Sequence, residues 1–290
     1  MPIRDWNPFA RRDEPAPVPA ALASALADLG RLAADRPELT TAAGSLAGAL
    51  RAAFGPPVPE TPPHAEPELI LASWRSGVPA FRAGEAPPAP GPDDLRARGL
   101  AVVASLSAVN PHAPRLGGAI REGSADLHAW ALLALSDRAA EVDVRADTLG
   151  LEPALVRSVL SLALLPTLAH LSGRLAAIRS EGLWTRGDCP NCGGPPVLAE
   201  SRGLEQRRYW RCGLCAADWD GERLGCPFCG ETGHRHLHYL FAEGEQDRYR
   251  VSLCDTCGGR LKVVSTLSPI PAPGLLVADL ATAHLDSAHA

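Results

Sequence analysis

Eight cysteines are the residues of this 290-residue chain whose type and spacing point most directly to chemistry. All of them lie between residues 189 and 257, in four Cys-x-x-Cys pairs. Such a turn presents two thiolates to one ion, and two turns complete a tetrahedral site with four sulfur ligands. The spacing therefore predicts two metal sites. The pairs are Cys189/Cys192, Cys212/Cys215, Cys226/Cys229 and Cys254/Cys257.

The distance along the chain between the pairs favours sequential grouping. Nineteen residues separate the first pair from the second, and 24 separate the third from the fourth, near the spacing of metal-binding ribbons. Sequential grouping closes the shorter loops at the lower entropic cost, although cross-braced pairing (first with third, second with fourth) stays open. We expect site one to hold Cys189, Cys192, Cys212 and Cys215, and site two to hold Cys226, Cys229, Cys254 and Cys257.

The identity of the metal is open from spacing alone, because four thiolates suit zinc and iron equally. Structural zinc would stabilise a small domain, whereas a rubredoxin-like iron would be redox-active. Thioredoxin-like dithiol exchange is disfavoured, since the pairs lack a βαβ context. Four ligands per ion leave no position for metal catalysis. With no Gly-rich phosphate loop, nucleophile elbow or carboxylate dyad either, we do not expect an enzyme.

Other residues near the pairs allow weaker predictions. Glycine follows the second cysteine at three pairs (Gly193, Gly230 and Gly258), where the backbone must curl. Three alternating histidines, at positions 234, 236 and 238, would share one face of a strand. Since eight thiolates already fill two sites, we favour a polar exposed face over further ligands. Trp210 and Trp219 flank the second pair and are expected in the core.

The elements that must position these sites begin with a cysteine-free helical half. Apolar residues at three- and four-residue spacing predict its helices, with Asp93 and Asp94 as caps and a bend or break at Pro166. The predicted helices cover residues 22–32, 39–54, 67–75, 93–109, 124–142 and 152–179.

The predicted fold class is α+β. An all-α N-terminal domain precedes two small rubredoxin-like, or zinc-ribbon-like, metal-binding modules and a short C-terminal helix, with strands near 207–211 and 236–241. The predicted boundaries are 1–183 for the helical domain, 184–222 and 223–268 for the two modules, and 269–290 for the linker and last helix.

Charge argues against a nucleic-acid partner. The chain carries a net charge of −5, and residues 186–262 contain 11 basic and 11 acidic side chains. Eight thiolates with two divalent ions would add about −4, whereas nucleic-acid ribbons are basic. Residues 146–159 resemble part of a helix-turn-helix, a DNA-binding motif. However, its second helix carries Arg157 as its one cation and is predicted to be buried, which argues against DNA binding.

We expect a cytoplasmic protein without a membrane partner. Arg11 and Arg12 are not followed by the apolar stretch of an export signal. The most apolar run, 158–169, has 12 residues and includes Pro166, whereas a spanning helix needs about 20. Thiols stay reduced in the cytoplasm, which favours metal ligands over disulfides.

The order of the four Cys-x-x-Cys turns, or knuckles, resembles that of the formate dehydrogenase accessory protein family, FdhE, over about residues 189–283. The first half resembles this family in length and helical character. The motifs that carry the resemblance are Cys189-Pro190-Asn191-Cys192-Gly193, Tyr209-x-x-Cys212-x-Leu214-Cys215, Cys226-x-x-Cys229, Cys254-Asp255-x-Cys257-Gly258 and Val277-Ala278-Asp279-Leu280-Ala281.

The resemblance implies a non-catalytic cytoplasmic maturation factor whose eight cysteines bind iron in two rubredoxin-like modules. Its implied partner is the catalytic subunit of formate dehydrogenase, which carries molybdopterin and an Fe–S cluster. Our leading hypothesis is therefore binding and activation of that immature subunit. The alternatives are a rubredoxin-like iron electron-transfer protein and, with less support, a zinc-ribbon nucleic-acid adaptor.

Overall fold

The computed structural model describes residues 18–58, 65–136, 138–179 and 183–286. The Arg11-Arg12 pair and the middle of the Pro-rich connector before Pro67 lie outside these ranges. The predictions made for them are therefore not addressed by the structure.

Nine α-helices lie within the described ranges, and eight of them precede the first cysteine. Several begin with a proline in their first turn, where its missing N–H is not needed and its fixed φ suits a helix. They are α1 (Val18–Asp35), α2 (Thr40–Phe54), α3 (Pro67–Arg75), α4 (Pro92–Leu106), α5 (Ala113–Glu122), α6 (Leu127–Ala134), α7 (Ala140–Thr148), α8 (Pro153–Ala176) and α9 (Ala272–Ala281).

The helix predicted over 124–142 is two helices, α6 and α7, and α5 was missed. Asp126 ends the connection after α5, because its carboxylate accepts a 3.0 Å hydrogen bond from the Ala129 N–H at the start of α6. Asp93 and Asp94 do not cap α4 but lie in its first turn, where their negative charge interacts favourably with the positive end of the helix dipole.

Helix α8 is the central helix of the core and continues through Pro166, so of the predicted bend or break the break is wrong. Its 24 residues are long and apolar enough to cross a membrane, contrary to the prediction that no such segment exists. However, 61% of its most apolar 18-residue window is buried inside the protein. Val159, Ala163, Leu164 and Leu168 are completely enclosed, so this apolar character serves the core.

All six strands within the described ranges form one sheet, in the order β3-β2-β1-β6-β5-β4. Each cysteine-rich half contributes three antiparallel strands, and β1 pairs in parallel with β6, Leu198 opposite Lys262. The two modules are therefore joined edge to edge. The strands are β1 (Pro196–Arg202), β2 (Arg207–Cys212), β3 (Asp218–Asp220), β4 (Leu237–Leu240), β5 (Tyr249–Cys254) and β6 (Arg260–Thr266).

The core runs from the helices into the sheet without interruption. The cluster built around Leu164 and Leu168 of α8 also includes Trp210, Trp219 and the four cysteines of site one. The C-terminal helix α9 packs back on α1 and α2. This mixed architecture confirms the predicted α+β class, whereas the domain boundaries stay a prediction.

Candidate metal centres

The structure brings the four cysteines of site one together in a dry environment. The Cys189 and Cys215 sulfurs lie 3.5 Å apart, the Cys192 and Cys212 sulfurs lie 3.4 Å apart, and all four sulfurs fall within 4.8 Å of one another. Each of these residues is at most 3% exposed. The group contains the first and second pairs of the chain, which is the sequential arrangement.

The backbone of each knuckle curls around its sulfurs. The Asn191 N–H points at the Cys189 Sγ at 3.4 Å, and the Leu214 N–H points at the Cys212 Sγ at the same distance. Gly193 adopts the left-handed conformation (φ +79°) that allows this curl in the first knuckle. At the corresponding position of the second knuckle, Ala216 adopts the same conformation (φ +55°) despite its Cβ.

Site two has the same arrangement but lies at the surface. The Cys226 and Cys257 sulfurs lie 3.6 Å apart, as do those of Cys229 and Cys254, and all four are within 4.8 Å of one another. Cys226 and Cys254 are buried, whereas Cys229 and Cys257 are exposed. Water and small molecules therefore have access to one side of this site and not to site one.

The dimensions of both groups fit a four-sulfur metal centre. A tetrahedron with metal–sulfur bonds of about 2.3 Å has edges of about 3.8 Å, slightly longer than the closest sulfur pairs seen here. All eight cysteines are free thiols. Both sets could therefore bind a metal ion, while the ligand role of each residue stays a prediction.

Thiol ionisation also fits a site that needs a cation. Burial raises the pKa of Cys189 well above its ordinary value, whereas hydrogen bonds from the Cys189, Cys192 and Cys215 thiols hold the pKa of Cys212 well below it. In site two, burial raises the pKa of Cys226 to about 12. Although burial opposes it, the Cys257 N–H and the Cys229 thiol lower the pKa of Cys254 to about 7. Cys212 and Cys254 are thus favoured as thiolates, and a bound cation would favour ionisation of the buried Cys189 and Cys226 as well.

Site one is bonded directly to the helical half. The Pro190 carbonyl, between the first two cysteines, accepts hydrogen bonds from the Trp74 indole (2.7 Å) and the Ala80 N–H (2.8 Å). The Asn191 carbonyl accepts from the Phe81 N–H at 2.8 Å, and the Asn191 side chain donates to the Ser172 hydroxyl of α8 at 2.9 Å. The first knuckle is therefore held by the turn after α3 and by α8.

The second knuckle of site one is held by a buried arginine. Arg211 donates to the Ala216 carbonyl at 3.1 Å and to the Ile270 carbonyl at 2.8 Å. It also pairs with Glu200, which is fully buried. Burial lowers the pKa of Arg211 to about 10, which still leaves it charged at neutral pH. This ion pair fixes the strained Ala216 and the start of the C-terminal linker in one arrangement.

The alternating histidines do not share one strand. His238 lies in β4, where its ring contacts the Asp255 carboxylate at 2.7 Å, but His234 and His236 lie in the preceding turn. The predicted common face is therefore wrong, although all three residues are exposed, as expected.

Trp210 and Trp219 are buried in the core, as predicted, in an edge-to-face pair with ring centroids 6.1 Å apart.

Several supporting residues were not recognised in the sequence. Asn191 stands inside the first Cys-x-x-Cys turn and could have been singled out as its one side chain able to donate. Trp74 and Ser172 gave no local signal, because their partners lie 116 and 19 residues away. The Glu200–Arg211 pair was hidden in the same way among many charged residues.

Fold and sites together define a class of protein: a helical body joined to two cysteine-rich ribbons in one sheet. No protein-family model matches the chain. It is 41% identical over 101 residues to an FdhE homolog of Stutzerimonas stutzeri and 37% identical over 81 residues to FdhE of Escherichia coli. These matches cover 34% and 26% of the chain, and 32% and 25% of those relatives.

The likeness to a solved structure is more extensive. The crystal structure of FdhE from Pseudomonas aeruginosa superimposes with a TM-score of 0.61 and 26% identity over 92% of this chain and 89% of that one. The chain is therefore similar in fold to an FdhE protein over most of its length. The curated relatives are matched over only about a third of their length or less.

Proposed function

We propose that this protein is a non-enzymatic accessory factor needed for formate dehydrogenase activity, and that it acts in the cytoplasm on the immature catalytic subunit. The observation that carries the proposal is the likeness to an FdhE structure over 92% of the chain. The knuckle motifs support it independently, because they match the formate dehydrogenase accessory family in their order and in the residues around the cysteines.

Metal binding is the second part of the proposal. The ligands are the eight cysteines in their two groups, and the metal is iron, with zinc as the alternative. A bound divalent or trivalent ion would stabilise thiolates that burial otherwise disfavours, and would hold each pair of knuckles together. The chain's own contribution is the set of N–H groups that point at the sulfurs and the buried network around Arg211.

The partner would bind at the C-terminal region, on the surface beside site two. Two large apolar side chains are exposed there: Leu224 at 48% and Phe228 at 43%. Phe228 lies inside the third Cys-x-x-Cys turn and packs over Gly259, which follows the fourth. Exposed apolar residues held in place by a metal knuckle suit the recognition of an incompletely folded protein.

A gene deletion tests the accessory role. We expect formate-dependent dye reduction to fall after deletion and to return when the wild-type gene is supplied. Unchanged activity in the deletion strain would refute the proposal. Cytoplasmic action is checked in the same strain by cell fractionation, with recovery of the protein in the periplasm as the contrary result.

A pair of matched variants tests the binding surface. Phe228→Asp places a charge beside site two, whereas Leu69→Asp places the same charge at a similarly exposed position of α3 (50% exposed). Binding of the purified wild-type chain to the catalytic subunit lacking its cofactors is measured by interferometry. We expect Phe228→Asp alone to weaken it by tenfold or more. Equal effects of the two variants would place the partner elsewhere.

Rubredoxin-like electron transfer is a second candidate, favoured by the exposure of Cys229 and Cys257. Exposed ligand sulfurs would give an electron donor or acceptor short access to an ion in site two. Visible absorption and voltammetry of anaerobically purified protein test this candidate. A reversible one-electron couple supports it, and a native protein that contains only zinc excludes it.

A further inference from the structure

Three arginines surround the side chain of Tyr239, at the junction of the two modules. The guanidinium carbons of Arg208 and Arg250 lie 5.7 and 5.4 Å from the centre of its ring. Arg208 also donates to the Tyr239 hydroxyl at 2.5 Å, and that hydroxyl donates to the Arg223 carbonyl at 3.2 Å. The strands β2, β4 and β5 and the connection after β3 thus converge on one phenol ring.

These three positive charges lack an anionic partner. Within the described ranges, Arg208, Arg223 and Arg250 make no ion pair with a carboxylate. Arg208 is only 6% exposed, and burial lowers its pKa, as do the charges of Arg250 and Arg223. A buried arginine among like charges is unfavourable unless an anion compensates it.

Two buried donors in the same place also lack acceptors. The Nε of Arg208 and the Nε1 of Trp210 are enclosed and make no hydrogen bond to any residue that the structure describes, and both residues are at least 94% buried. They lie two residues apart on β2 and therefore point to the same face of the sheet. Unsatisfied donors of this kind are rare in native proteins and call for a partner.

A glycine packs closely against the two side chains that carry these donors. A Cβ at Gly221 would lie 2.9 Å from the Trp210 Nε1 and 2.9 Å from the Arg208 Cγ, closer than a side chain tolerates. Gly221 lines a surface groove of about 230 Å³ together with Arg207, Arg208 and Arg223. The same groove contains Glu205 and also Asp220, whose charge is offset by Arg207 at 3.7 Å.

We propose that this groove is an oxyanion-binding site, in which Arg208 and Arg223 hold a carboxylate or phosphate group beside Gly221, with the positive charge of Arg250 nearby. Guanidinium groups bind both oxyanions through paired charge-assisted hydrogen bonds. The volume suits a single small anion or one such group of a larger ligand. The site is separate from the cysteine ligands, so it does not depend on the function proposed above.

The test uses the indole N–H signal of Trp210 in a two-dimensional ¹H–¹⁵N spectrum of the full chain. Trp210→Phe identifies that signal by removing it. The protein is titrated with sodium phosphate and, separately, with sodium acetate, at constant ionic strength. We expect a saturable shift of the signal with at least one of the two anions. Saturation by phosphate identifies a phosphate-bearing ligand, and saturation by acetate alone identifies a carboxylate.

Variants decide whether the groove is responsible. We expect Gly221→Ala, whose Cβ displaces the Arg208 and Trp210 side chains, and Arg223→Ala, which removes an exposed cation, each to weaken binding by tenfold or more. Arg235→Ala removes an exposed cation that does not line the groove and should leave binding unchanged. A linear shift with both anions, or equal binding by Arg223→Ala and the wild type, overturns the proposal. Because Arg223 is exposed, that test stands even where Gly221→Ala fails to fold.

Discussion

The indole nitrogen of Trp74 donates a 2.7 Å hydrogen bond to the carbonyl of Pro190, the residue that follows the first cysteine of site one. A side chain of α3 is thereby attached to the backbone of a cysteine knuckle 116 residues later in the chain. The geometry of site one and the packing of the helical half therefore depend on each other.

Trp74→Phe should destabilise the protein through this connection. The Pro190 carbonyl keeps its bond from the Ala80 N–H, so the loss combines one hydrogen bond with a small cavity, about 2 kcal/mol in total. Urea unfolding measures the change, and metal release from site one should become faster. Leu69→Ala, on the exposed face of the same helix, is the control and should change neither quantity. If metal release stays at the wild-type rate, the two halves are not coupled in this way.

Two glycine variants separate backbone strain from steric contact. Gly193 and Gly258 both have positive φ, so alanine at either position costs about 1–2 kcal/mol. At Gly193 the new Cβ would also lie 2.9 Å from the Pro79 ring, whereas no atom lies within 4 Å of a Cβ at Gly258. We expect Gly193→Ala to lower the free energy of unfolding clearly more than Gly258→Ala does. Equal losses in urea unfolding would contradict this reading of the first knuckle.

Metal removal should proceed in two steps. Site two exposes Cys229 and Cys257, whereas the four cysteines of site one are at most 3% exposed. A chelator can attack site two in the folded protein but reaches site one only after local unfolding. On addition of a chromogenic chelator to loaded protein, we expect one ion per chain to leave quickly and the other to leave slowly. Cys257→Ser should abolish the fast phase only, and a single phase for both ions would contradict the difference in burial.

The acid stability of the sheet should depend on Asp218. Burial alone would raise the pKa of Asp218, but Arg202, Arg211 and Arg179 outweigh it and lower that pKa below the ordinary value. A lowered folded-state pKa stabilises the protein above the unfolded pKa of about 3.9, and this contribution is lost as the pH falls through the folded pKa.

The corresponding variant is Asp218→Asn, which should cost about 1–3 kcal/mol at pH 7 because Arg202 loses one of its two carboxylate partners and keeps only Glu200. Urea unfolding of variant and wild type is compared at pH 7 and near pH 3. Loss of metal in acid affects both proteins and cancels in the difference. The difference in the free energy of unfolding between the two proteins should shrink at the lower pH. A constant difference would show that the charge of the Asp218 carboxylate does not stabilise the fold.

Local patterns were sufficient for much of the fold. Apolar spacing located α3 at its observed bounds, because a short amphipathic helix between proline signals has few alternatives. The same reasoning missed α5, whose Pro114, Gly117 and Gly118 are poor helix formers, although Leu116 and Ile120 are buried by neighbouring helices. It also predicted a bend or break at Pro166, where packing on both sides of α8 keeps the helix continuous.

The spacing of the cysteines favoured the observed composition of the two sulfur groups, because Cys-x-x-Cys turns are local and the loops between paired turns are short. The difference in burial between the two groups comes from the tertiary structure. The parallel pairing of β1 with β6 places one site in the shared core and leaves the other at the surface. The same pairing brings Arg208, Arg223 and Arg250 around Tyr239. Contacts between residues far apart in the chain arise from the packing of whole elements, and no spacing rule encodes them.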